Sequence, residues 1–404
     1  MKLLVVCQHF WPENFRINDL CEGMSEAGIE IDVLCGEPNY PKGEWYKGYG
    51  AFRRRRERHG KINIYRCFEI PRKNNTNLRI FANYMSFPFS SLFHIPERMR
   101  KKYDRILIYQ LSPVYMAWAG ILIGKLTKTP VITYIMDLWP DNLYSVIPVQ
   151  NPLIRAGLLS TSTWCYKNSD KLICLTETAA RIVKKRTGKA SSDICIIPQC
   201  CEKLYETPVY DPKLHQRFPE RFNLVYTGNI SPAQDYPLML RAAKLLHSKG
   251  YQINWIIVGD GMSRKDFQND VKKAGLEPYF FFEGMQPMES IPAYTELADG
   301  LIACLCKSEL LECTIPAKVM SYLASGKPLI LAMNGEAQSL VNNNHCGFAG
   351  NSGDLKALVQ NIAKLYRMKD VQRQALGENS RKLHFNSFER NDNLRRMIRF
   401  VFKQ

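Results

Sequence analysis

The amino-acid sequence predicts two α/β domains, each built around a doubly wound parallel sheet. Short apolar runs alternate with longer stretches of helical periodicity, and the alternation occurs in both halves of the chain. The length of 404 residues suits two or three domains of ordinary size. Strand, helix and strand at this spacing are typical of a parallel sheet with crossover helices. Ligands of such sheets bind outside the carboxyl ends of the strands, so the loops there are the candidate functional segments.

The first half provides the first set of elements. The run 3–8 is apolar enough for a buried strand, and the periodic stretch after it predicts a helix that ends at Gly28. The predicted strands are 3–8, 29–36, 105–110, 130–137, 171–176 and 194–199. The predicted helices are 18–28, 114–126, 152–168 and 177–187.

The second half repeats the pattern after a segment, 203–221, that has no clear periodicity and contains three prolines. We interpret that segment as a linker, which divides the chain into domains 1–205 and 206–404. The last helix, about 388–404, can pack on either domain. The predicted strands are 222–229, 253–261, 279–284, 301–306 and 327–332, and the predicted helices are 236–249, 263–274, 288–297, 316–325, 354–368 and 371–383.

The charge is unevenly distributed. Lys plus Arg number 55 and Asp plus Glu 38, a net charge of +17 that favours an anionic partner. Basic residues are concentrated in 51–105, where they flank the uncharged aromatic stretch 81–96. Such a segment fits either the headgroup layer of an anionic membrane or a core helix between two basic loops. Nucleic acid is not expected as a partner, because zinc-finger, RNP and basic-zipper patterns are absent from the sequence.

Several common classes are excluded by pattern. The first residues do not resemble a signal peptide, and the sequence contains no run of 18 apolar residues for a membrane span. The 13 cysteines are odd in number and lack CxxC spacing, so we expect reduced, buried thiols rather than disulfides or zinc. The fingerprints of dinucleotide-binding enzymes, P-loop NTPases, α/β-hydrolases, zinc proteases and protein kinases are also missing from the sequence.

The segment 314–328 has the strongest functional signal. Pro316 suits the first position of a helix, and the free N–H groups at a helix start can hold a phosphate. Lys318 would lie in the first turn, where a cation opposes the helix dipole. That placement is favourable if an anion binds there, although a solvated lysine is the alternative. Glu312 lies in the loop before the predicted helix.

Loops after other predicted strands add weaker signals. Gly228 permits close approach of a ligand to the backbone, and Asn229 and Gln234 supply neutral hydrogen-bonding groups. The glycine turns at 259–261 and 282–284 are similar, and each could be an ordinary turn.

Two loops of the first half carry polar side chains. His9, Glu13, Asn14 and Arg16 follow the first predicted strand. His9 fits a structural role as well as a functional one. Asp137 follows a later strand, where a carboxylate can act as a base, bind hydroxyl groups or cap a helix.

Together these loops resemble those of family-4 glycosyltransferases of the GT-B fold. The resemblance covers nearly the whole chain and rests on D-L-W-P at 137–140, Y-T-G-N at 226–229, G-D-G at 259–261, F-E-G at 282–284 and P-A-K-V-M-S-Y-L-A-S-G-K-P at 316–328. It is closest to the branch that includes N-acetylfucosaminyl transferases of bacterial O-antigen and capsule assembly.

The resemblance implies two Rossmann-like domains that face each other across a cleft. It implies a retaining glycosyltransferase of class EC 2.4 that needs neither a metal nor another cofactor. A UDP-sugar donor would bind residues 206–404, and a polyprenyl-diphosphate-linked saccharide acceptor would bind residues 1–205. The remaining partner would be an anionic membrane surface, reached through 51–105. The protein would be cytoplasmic and peripheral on the inner face of the cell membrane.

The resemblance also implies a set of site residues. Glu13, Asp137 and Lys318 would be catalytic. The acceptor would be bound by His9, Asn14 and Arg16. The donor would be bound by Gly228, Asn229, Gln234, Gly259, Asp260, Gly284, Met285, Glu312, Cys313, Thr314, Ile315, Pro316, Lys318 and Ser321.

The sequence also departs from the wider family. Most members hold the pyrophosphate with an Arg and a Lys, and Asn229 and Gln234 occupy those positions here. The resemblance then leaves the diphosphate to Lys318 and the helix start. Cys313 and Ser321 match two family glutamates, and Glu312 is the expected substitute for the first. Two alternatives therefore stay open: a non-catalytic subunit of this fold that binds nucleotide-sugars or acts as a membrane scaffold, and a UDP-sugar epimerase.

Overall fold

The computed structural model describes residues 1–51, 53–73, 77–146 and 149–403. The chain forms two compact units. Unit 1 comprises Met1–Ile197 together with Leu394–Gln404, and unit 2 comprises Pro198–Asn393. The first unit therefore ends eight residues before the boundary that the proline-rich segment suggested.

Unit 1 is built on a sheet of eight strands within the described residues, in the order β3-β4-β2-β1-β5-β6-β7-β8. All neighbours are parallel except β3 and β4. Residues 3–6 in the central strand are fully buried, since helices cover both faces of such a sheet. The strands are β1 Lys2–Val6, β2 Glu30–Cys35, β3 Arg56–His59, β4 Ile62–Arg66, β5 Arg105–Gln110, β6 Val131–Ile135, β7 Lys171–Cys174 and β8 Ile194–Ile196.

The helices of unit 1 connect these strands. They are α1 Arg16–Glu26, α2 Asn77–Leu92, α3 Ile95–Met99, α4 Trp118–Thr127, α5 Asp141–Val146, α6 Pro152–Lys167 and α7 Glu177–Thr187. The predicted helix 114–126 begins as a 3-10 turn, Val114–Ala117, before α4. Side-chain caps fix two starts, because Asn151 and Thr176 accept backbone N–H groups of α6 and α7.

Unit 2 has a parallel sheet of six strands within the described residues, in the order β11-β10-β9-β12-β13-β14. The strands are β9 Phe222–Thr227, β10 Ile253–Val258, β11 Phe280–Gly284, β12 Gly300–Cys304, β13 Leu329–Ala332 and β14 Gly347–Gly350. The helices are α8 Pro212–Gln216, α9 Tyr236–Ser248, α10 Arg264–Lys273, α11 Ile291–Glu296, α12 Glu309–Glu312, α13 Ala317–Ser325, α14 Glu336–Asn343, α15 Leu355–Arg367 and α16 Asp370–Ser387.

The final helix, α17 Arg390–Phe402, returns the chain to unit 1. Met397 and Val401 are buried in the core of unit 1. Arg105 donates from Nε to the carbonyl of Val401 at 3.1 Å, and Lys171 donates from Nζ to the carbonyl of Phe400 at 3.2 Å. Apolar burial and these bonds together hold the helix on unit 1.

Eight elements of the described chain were not predicted: the strands β3, β4 and β14 and the helices α3, α5, α8, α12 and α14. The β3 strand has the sequence RERH, and β14 has the sequence GFAG, so neither has an apolar pattern typical of a strand. Each forms because a neighbouring strand supplies its hydrogen bonds, β4 for the first and β13 for the second. Within the predicted membrane-facing segment 51–105, residues 52 and 74–76 lie outside the described part.

No helix in the described part of the chain is both long and apolar enough to cross a bilayer.

Candidate functional site

Three strand ends of unit 2 are joined by backbone hydrogen bonds. The N–H of Gly228 donates to the carbonyl of Val258 at 2.9 Å, and the N–H of Gly259 donates to the carbonyl of Gly284 at 2.7 Å. A Cβ atom at Gly259 would lie only 2.0 Å from the carbonyl oxygen of Gly228, and its φ is +134°. Only glycine permits this approach. The glycine turns after β9, β10 and β11 therefore form one continuous backbone surface.

Helix α13 begins beside that surface, at the carboxyl end of β12. Pro316 is its N-cap residue, one position earlier than the sequence suggested, because its ψ of 140° is extended. In the described structure no side chain caps this helix end. Such an end presents backbone N–H groups and a partial positive charge to a ligand.

The Lys318 side chain reaches from the first turn of α13 to β9 and the loop after it. Its Nζ donates to Tyr226 Oη and to Gln234 Oε1, both at 2.6 Å. The same Nζ lies 3.9 Å from the centroid of the Tyr226 ring. The ammonium is thus held by two oxygens and a ring face, next to Gly228, where a Cβ would lie 3.4 Å from Nζ.

Burial controls the protonation of this pair. It lowers the pKa of Lys318 to about 7, while the nearby Cys304 thiol acts weakly in the opposite direction. Burial also raises the pKa of Tyr226, so its hydroxyl stays protonated. The Tyr226 hydroxyl donates to the carbonyl of Asn229 at 2.7 Å. Within the described residues, the Lys318 ammonium is therefore hydrogen-bonded to neutral acceptors and not to a carboxylate, which suits an incoming anion.

The loop before α13 is fixed by the loop that follows β13. Asn334 donates from Nδ2 to Glu312 Oε1 at 2.9 Å, and a Cβ at Gly335 would lie 2.1 Å from the carbonyl oxygen of Glu312. Glu312 is the last residue of α12 rather than a loop residue. Its carboxylate is held by Asn334 and remains partly exposed.

The other predicted donor residues of this segment are less constrained. Cys313, Thr314 and Ile315 form the half-buried connection to Pro316. Thr314 donates to the carbonyl of Leu311 at 3.2 Å. Ser321 bonds back to the carbonyl of Ala317 at 3.4 Å, within its own helix.

Asp260 and Met285 lie on exposed turns. Asp260 accepts the N–H of Gly261 at 2.8 Å and pairs with Arg264 at 3.3 Å. Met285 is exposed by 77%. The structure thus groups the backbone of the glycine turns with Lys318 and Gln234, whereas Asp260 pairs with Arg264 and Met285 is exposed to solvent.

In unit 1, His9 and Glu13 form a buried pair. His9 Nδ1 lies 2.9 Å from Glu13 Oε2, and the His9 ring stacks on Phe15 at 4.7 Å. Glu13 Oε1 accepts the backbone N–H groups of Asn39 and Tyr40 at 2.7 and 2.6 Å. Glu13 therefore joins the loops after β1 and β2.

Two further acidic residues lie near this pair. Burial raises the pKa of Glu37 and of Glu69 to about 7. Glu69 Oε1 accepts from Gln8 at 2.9 Å and from Asn83 at 2.7 Å. Both carboxyl oxygens of Glu37 are buried without a hydrogen-bond partner in the described structure. Of the residues predicted nearby, Asn14 is exposed and Arg16 is half-buried.

Asp137 lies after β6 and is held by Ser112, which follows β5. Asp137 Oδ2 accepts the N–H of Ser112 at 3.0 Å and its hydroxyl at 2.9 Å. Trp139 and Asn142 each donate to Ser112 Oγ at 3.0 Å. Burial raises the pKa of Asp137, and the bonds from Ser112 act against that shift. The carboxylate is held by the loop after β5, and a side-chain hydrogen bond with Asn142 of α5 also lowers its pKa.

Three residues of these sites, Tyr226, Ser112 and Glu37, were not predicted from the sequence. Ser112 could have been found, because a polar residue directly after an apolar strand is the signal that identified Asp137. Tyr226 gives no such signal, since a tyrosine inside a buried strand is typical of a core. In the described residues no group of three or more His, Cys, Asp or Glu side chains forms a metal-binding cluster.

Comparison with known families and structures agrees with this arrangement. The family model described as Glycosyltransferase Family 4 matches residues 15–201, and that described as Glycosyl transferases group 1 matches residues 211–383. A relative is WcaI of Escherichia coli K12, whose name assigns it to colanic acid biosynthesis as a glycosyl transferase. It is 23% identical over 348 residues, which is 81% of this chain and 82% of WcaI.

Solved structures share the fold across the chain. Sucrose-phosphate synthase from Thermosynechococcus elongatus has a TM-score of 0.74 at 16% identity, covering 98% of this chain and 97% of that one. HepE of Anabaena, solved with UDP, has a TM-score of 0.71 at 15% identity and covers all of both chains.

Two Rossmann-like parallel-sheet units with these matches define an enzyme of the GT-B glycosyltransferase class, EC 2.4. The chain belongs to glycosyltransferase family 4. The GT-B fold and the glycosyltransferase family that the resemblance implied are therefore confirmed, whereas the branch that includes N-acetylfucosaminyl transferases stays a prediction.

Proposed function

We propose that this enzyme transfers a sugar from a UDP-sugar to a polyprenyl-diphosphate-linked saccharide, with retention of configuration, in the synthesis of a bacterial surface polysaccharide such as O-antigen, capsule or exopolysaccharide. The name of WcaI supports polysaccharide synthesis. The structures of HepE solved with UDP and with UDP-glucose support the donor class. The observation that carries the proposal is the Lys318 ammonium, which neutral acceptors hold beside the start of α13 and which forms no ion pair with a carboxylate of the described residues.

The proposed donor site uses unit 2. The diphosphate lies against the glycine turns after β9 and β10 and the N–H groups at the start of α13. Lys318 neutralises the negative charge that grows on the departing diphosphate. Asn229 and Gln234 are neutral, so the ammonium and the backbone N–H groups supply the stabilisation.

The proposed reaction breaks the bond between the anomeric carbon and the donor phosphate oxygen. A new bond forms on the same face between that carbon and the acceptor hydroxyl oxygen. The acceptor proton passes to the departing phosphate oxygen. Asp137 and the His9–Glu13 pair hold the acceptor, since carboxylate and imidazole groups bind hydroxyls well. No paired acid and nucleophile, as in glycoside hydrolases, is needed.

Helix α2 supports the membrane part of the proposal. Leu78, Phe81 and Phe89, with Phe93 just past the helix, are exposed by 78%, 64%, 52% and 86%. They recur at helical spacing on one stripe, whereas Phe87 on the opposite side is fully buried. We call these four residues the α2 stripe. An exposed apolar stripe of this kind is typical of a helix that lies in a membrane interface.

Basic side chains lie beside the α2 stripe. Arg56 pairs with Glu97 at 2.8 Å, and Arg55 contacts His94 at 3.4 Å. These contacts bring the basic run 53–56 close to Phe93. Apolar side chains next to arginines suit an anionic lipid surface, where each arginine adds about 1 kcal/mol. We therefore place the enzyme on the cytoplasmic face of the membrane, where its proposed lipid-linked acceptor is presented.

An assay with a panel of UDP-, GDP- and dTDP-sugars and polyprenyl-diphosphate-linked acceptors tests the proposal. We expect a product whose new bond keeps the donor's anomeric configuration, measured by NMR. Thermal stabilisation by a nucleotide-sugar without any turnover would favour a binding subunit. An epimerised nucleotide-sugar formed without acceptor would favour an epimerase.

A further inference from the structure

The contacts of Lys318 differ from those of an ordinary surface lysine. A lysine side chain has four rotatable carbon bonds and loses about 2 kcal/mol of conformational entropy when it is fixed. Here the ammonium has three simultaneous contacts: Tyr226 Oη and Gln234 Oε1 at 2.6 Å, and the Tyr226 ring at 3.9 Å. All three come from β9 and the loop that follows it.

The bonding of the Tyr226 hydroxyl determines its role. It has one proton, and its shorter acceptor is the carbonyl of Asn229 at 2.7 Å, against 3.1 Å to Gln234 Oε1. The oxygen lone pairs are then free to accept from Lys318. One hydroxyl therefore fixes both the ammonium and the backbone carbonyl of the loop that follows β9. The ring itself is buried in the core, so this hydroxyl cannot move away.

Gln234 completes the arrangement from the other side. Its Oε1 accepts from Lys318, which leaves its amide nitrogen directed elsewhere. The N–H of Gln234 donates to the carbonyl of Ser231 at 3.0 Å, so the loop turn itself sets the position of this side chain.

We propose that Tyr226 and Gln234 are positioning residues that hold the Lys318 ammonium at the phosphate site before the donor arrives. This inference rests on the proposed function, because it assumes that Lys318 meets a diphosphate. Neither residue needs to touch the donor. Both act through Lys318, and their contribution to donor binding depends on the presence of that ammonium.

A double-mutant cycle on UDP affinity tests the proposal. We expect Lys318→Met to weaken UDP binding about 10- to 100-fold, and Tyr226→Phe or Gln234→Leu to weaken it about 3- to 10-fold. Once Lys318 is Met, adding either second substitution should change the affinity less than twofold, because the residue acts through a group that is gone. In turnover, Tyr226→Phe should raise the donor KM more than it lowers kcat.

Tyr322→Phe is the matched control. The Tyr322 hydroxyl accepts the N–H of Thr227, which follows Tyr226 on β9, at 2.8 Å, and in the described structure it is not hydrogen-bonded to Lys318. Tyr322→Phe should change the UDP affinity by the same factor whether residue 318 is Lys or Met. Additive effects of Tyr226→Phe or of Gln234→Leu with Lys318→Met would overturn the proposal.

The outcomes separate the two hypotheses. If the wild-type protein binds no nucleoside diphosphate, the proposed function fails. If it binds UDP and the cycles are additive, the function survives and the positioning role fails. Should Tyr226→Phe not fold, the Gln234→Leu cycle decides the question.

Discussion

Lys318 donates to the hydroxyl of Tyr226 at 2.6 Å while its ammonium lies 3.9 Å from the centre of the same ring. The contact joins the first turn of α13 to the last residues of β9, two elements 92 positions apart in sequence. Tyr226, a buried residue of β9, thus determines the position of the Lys318 ammonium at the start of α13. The predictions for unit 2 follow from this relationship.

Replacing Lys318 should weaken donor binding more than acceptor binding. Charge-assisted hydrogen bonds contribute roughly 1.5 to 3 kcal/mol, so we expect Lys318→Met to raise the donor KM about 10- to 100-fold. Steady-state kinetics with each substrate varied in turn measures this. Lys356→Met, at an exposed position of α15, is the control and should change neither KM. A larger effect on the acceptor KM would show that the two substrates are assigned to the wrong units.

Donor binding should depend on pH. Burial lowers the pKa of Lys318 to about 7, so the side chain is charged below pH 7 and neutral above it. Because a diphosphate requires the charged form, affinity should fall as the pH rises above 7, by up to about tenfold per pH unit. Calorimetric titration with a UDP-sugar measures the slope. The slope should vanish in Lys318→Met, and an equal slope in that variant would contradict the assignment.

Asp137→Asn should lower kcat with little effect on the donor KM. The carboxylate is held by two bonds from Ser112. Its proposed hydrogen bond to the acceptor hydroxyl is charge-assisted and contributes roughly 1.5 to 3 kcal/mol, so losing its charge should lower the rate about 10- to 100-fold. Asp141→Asn is the control, because Asp141 lies in the same segment but pairs with Arg186 at 2.7 Å. If kcat is unchanged in Asp137→Asn, the role of Asp137 is only to hold the loop after β5 in place.

Glu37→Gln should stabilise unit 1 at alkaline pH. Burial raises the pKa of Glu37 from 4.5 to about 7, so the folded state binds this proton more tightly than the unfolded state does. Above pH 7 the buried charge costs about 3 kcal/mol, and the cost disappears as the pH falls from 7 to 4.5. In thermal unfolding experiments, Glu37→Gln should therefore raise the melting temperature more at pH 8 than at pH 5.

The exposed Glu26 provides the comparison for that experiment. Glu26→Gln should change the melting temperature by the same small amount at pH 8 and at pH 5. A loss of stability in Glu37→Gln at pH 8 would mean that charged Glu37 is stabilised by Arg66 rather than penalised by burial.

The α2 stripe should support binding to anionic membranes. Flotation with phosphatidylglycerol-containing vesicles should show at least tenfold less binding when Phe81 and Phe93 are replaced by Ser. Replacing Arg53–Arg56 by Gln should reduce membrane binding to a similar extent. High salt should likewise reduce the membrane binding of the wild type, because salt screens the arginine charges. Vesicles of phosphatidylcholine alone should bind weakly throughout.

Two controls match those variants. Val371→Ser removes an apolar side chain that is exposed by 76% on unit 2. Four exposed lysines of unit 2 can be replaced by Gln to remove the same charge: Lys244, Lys249, Lys272 and Lys273. If these controls reduce flotation as much as the α2 and arginine variants, net charge and general hydrophobicity explain the binding, and the α2 stripe has no specific role.

Sequence patterns predicted most of the framework because buried parallel strands must be apolar along their whole length. The strand Arg105–Gln110 and the helix Glu177–Thr187 have the predicted bounds. The charged β3 and the glycine-rich β14 were missed, because their formation depends on a partner strand and not on their own residues. Pro316 was placed one position too far into its helix, since an extended ψ cannot be read from residue type.

By itself, the sequence determined the alternation of strands and helices, the family resemblance and the positions of the loops at the strand ends. Those features depend on local periodicity and short motifs. Only the tertiary structure decided that Lys318 contacts Tyr226 and Gln234, that Ser112 holds Asp137, and that Glu37 is buried without a hydrogen-bond partner in the described residues. These facts depend on side chains brought together from distant parts of the chain, where burial changes the cost of a charge.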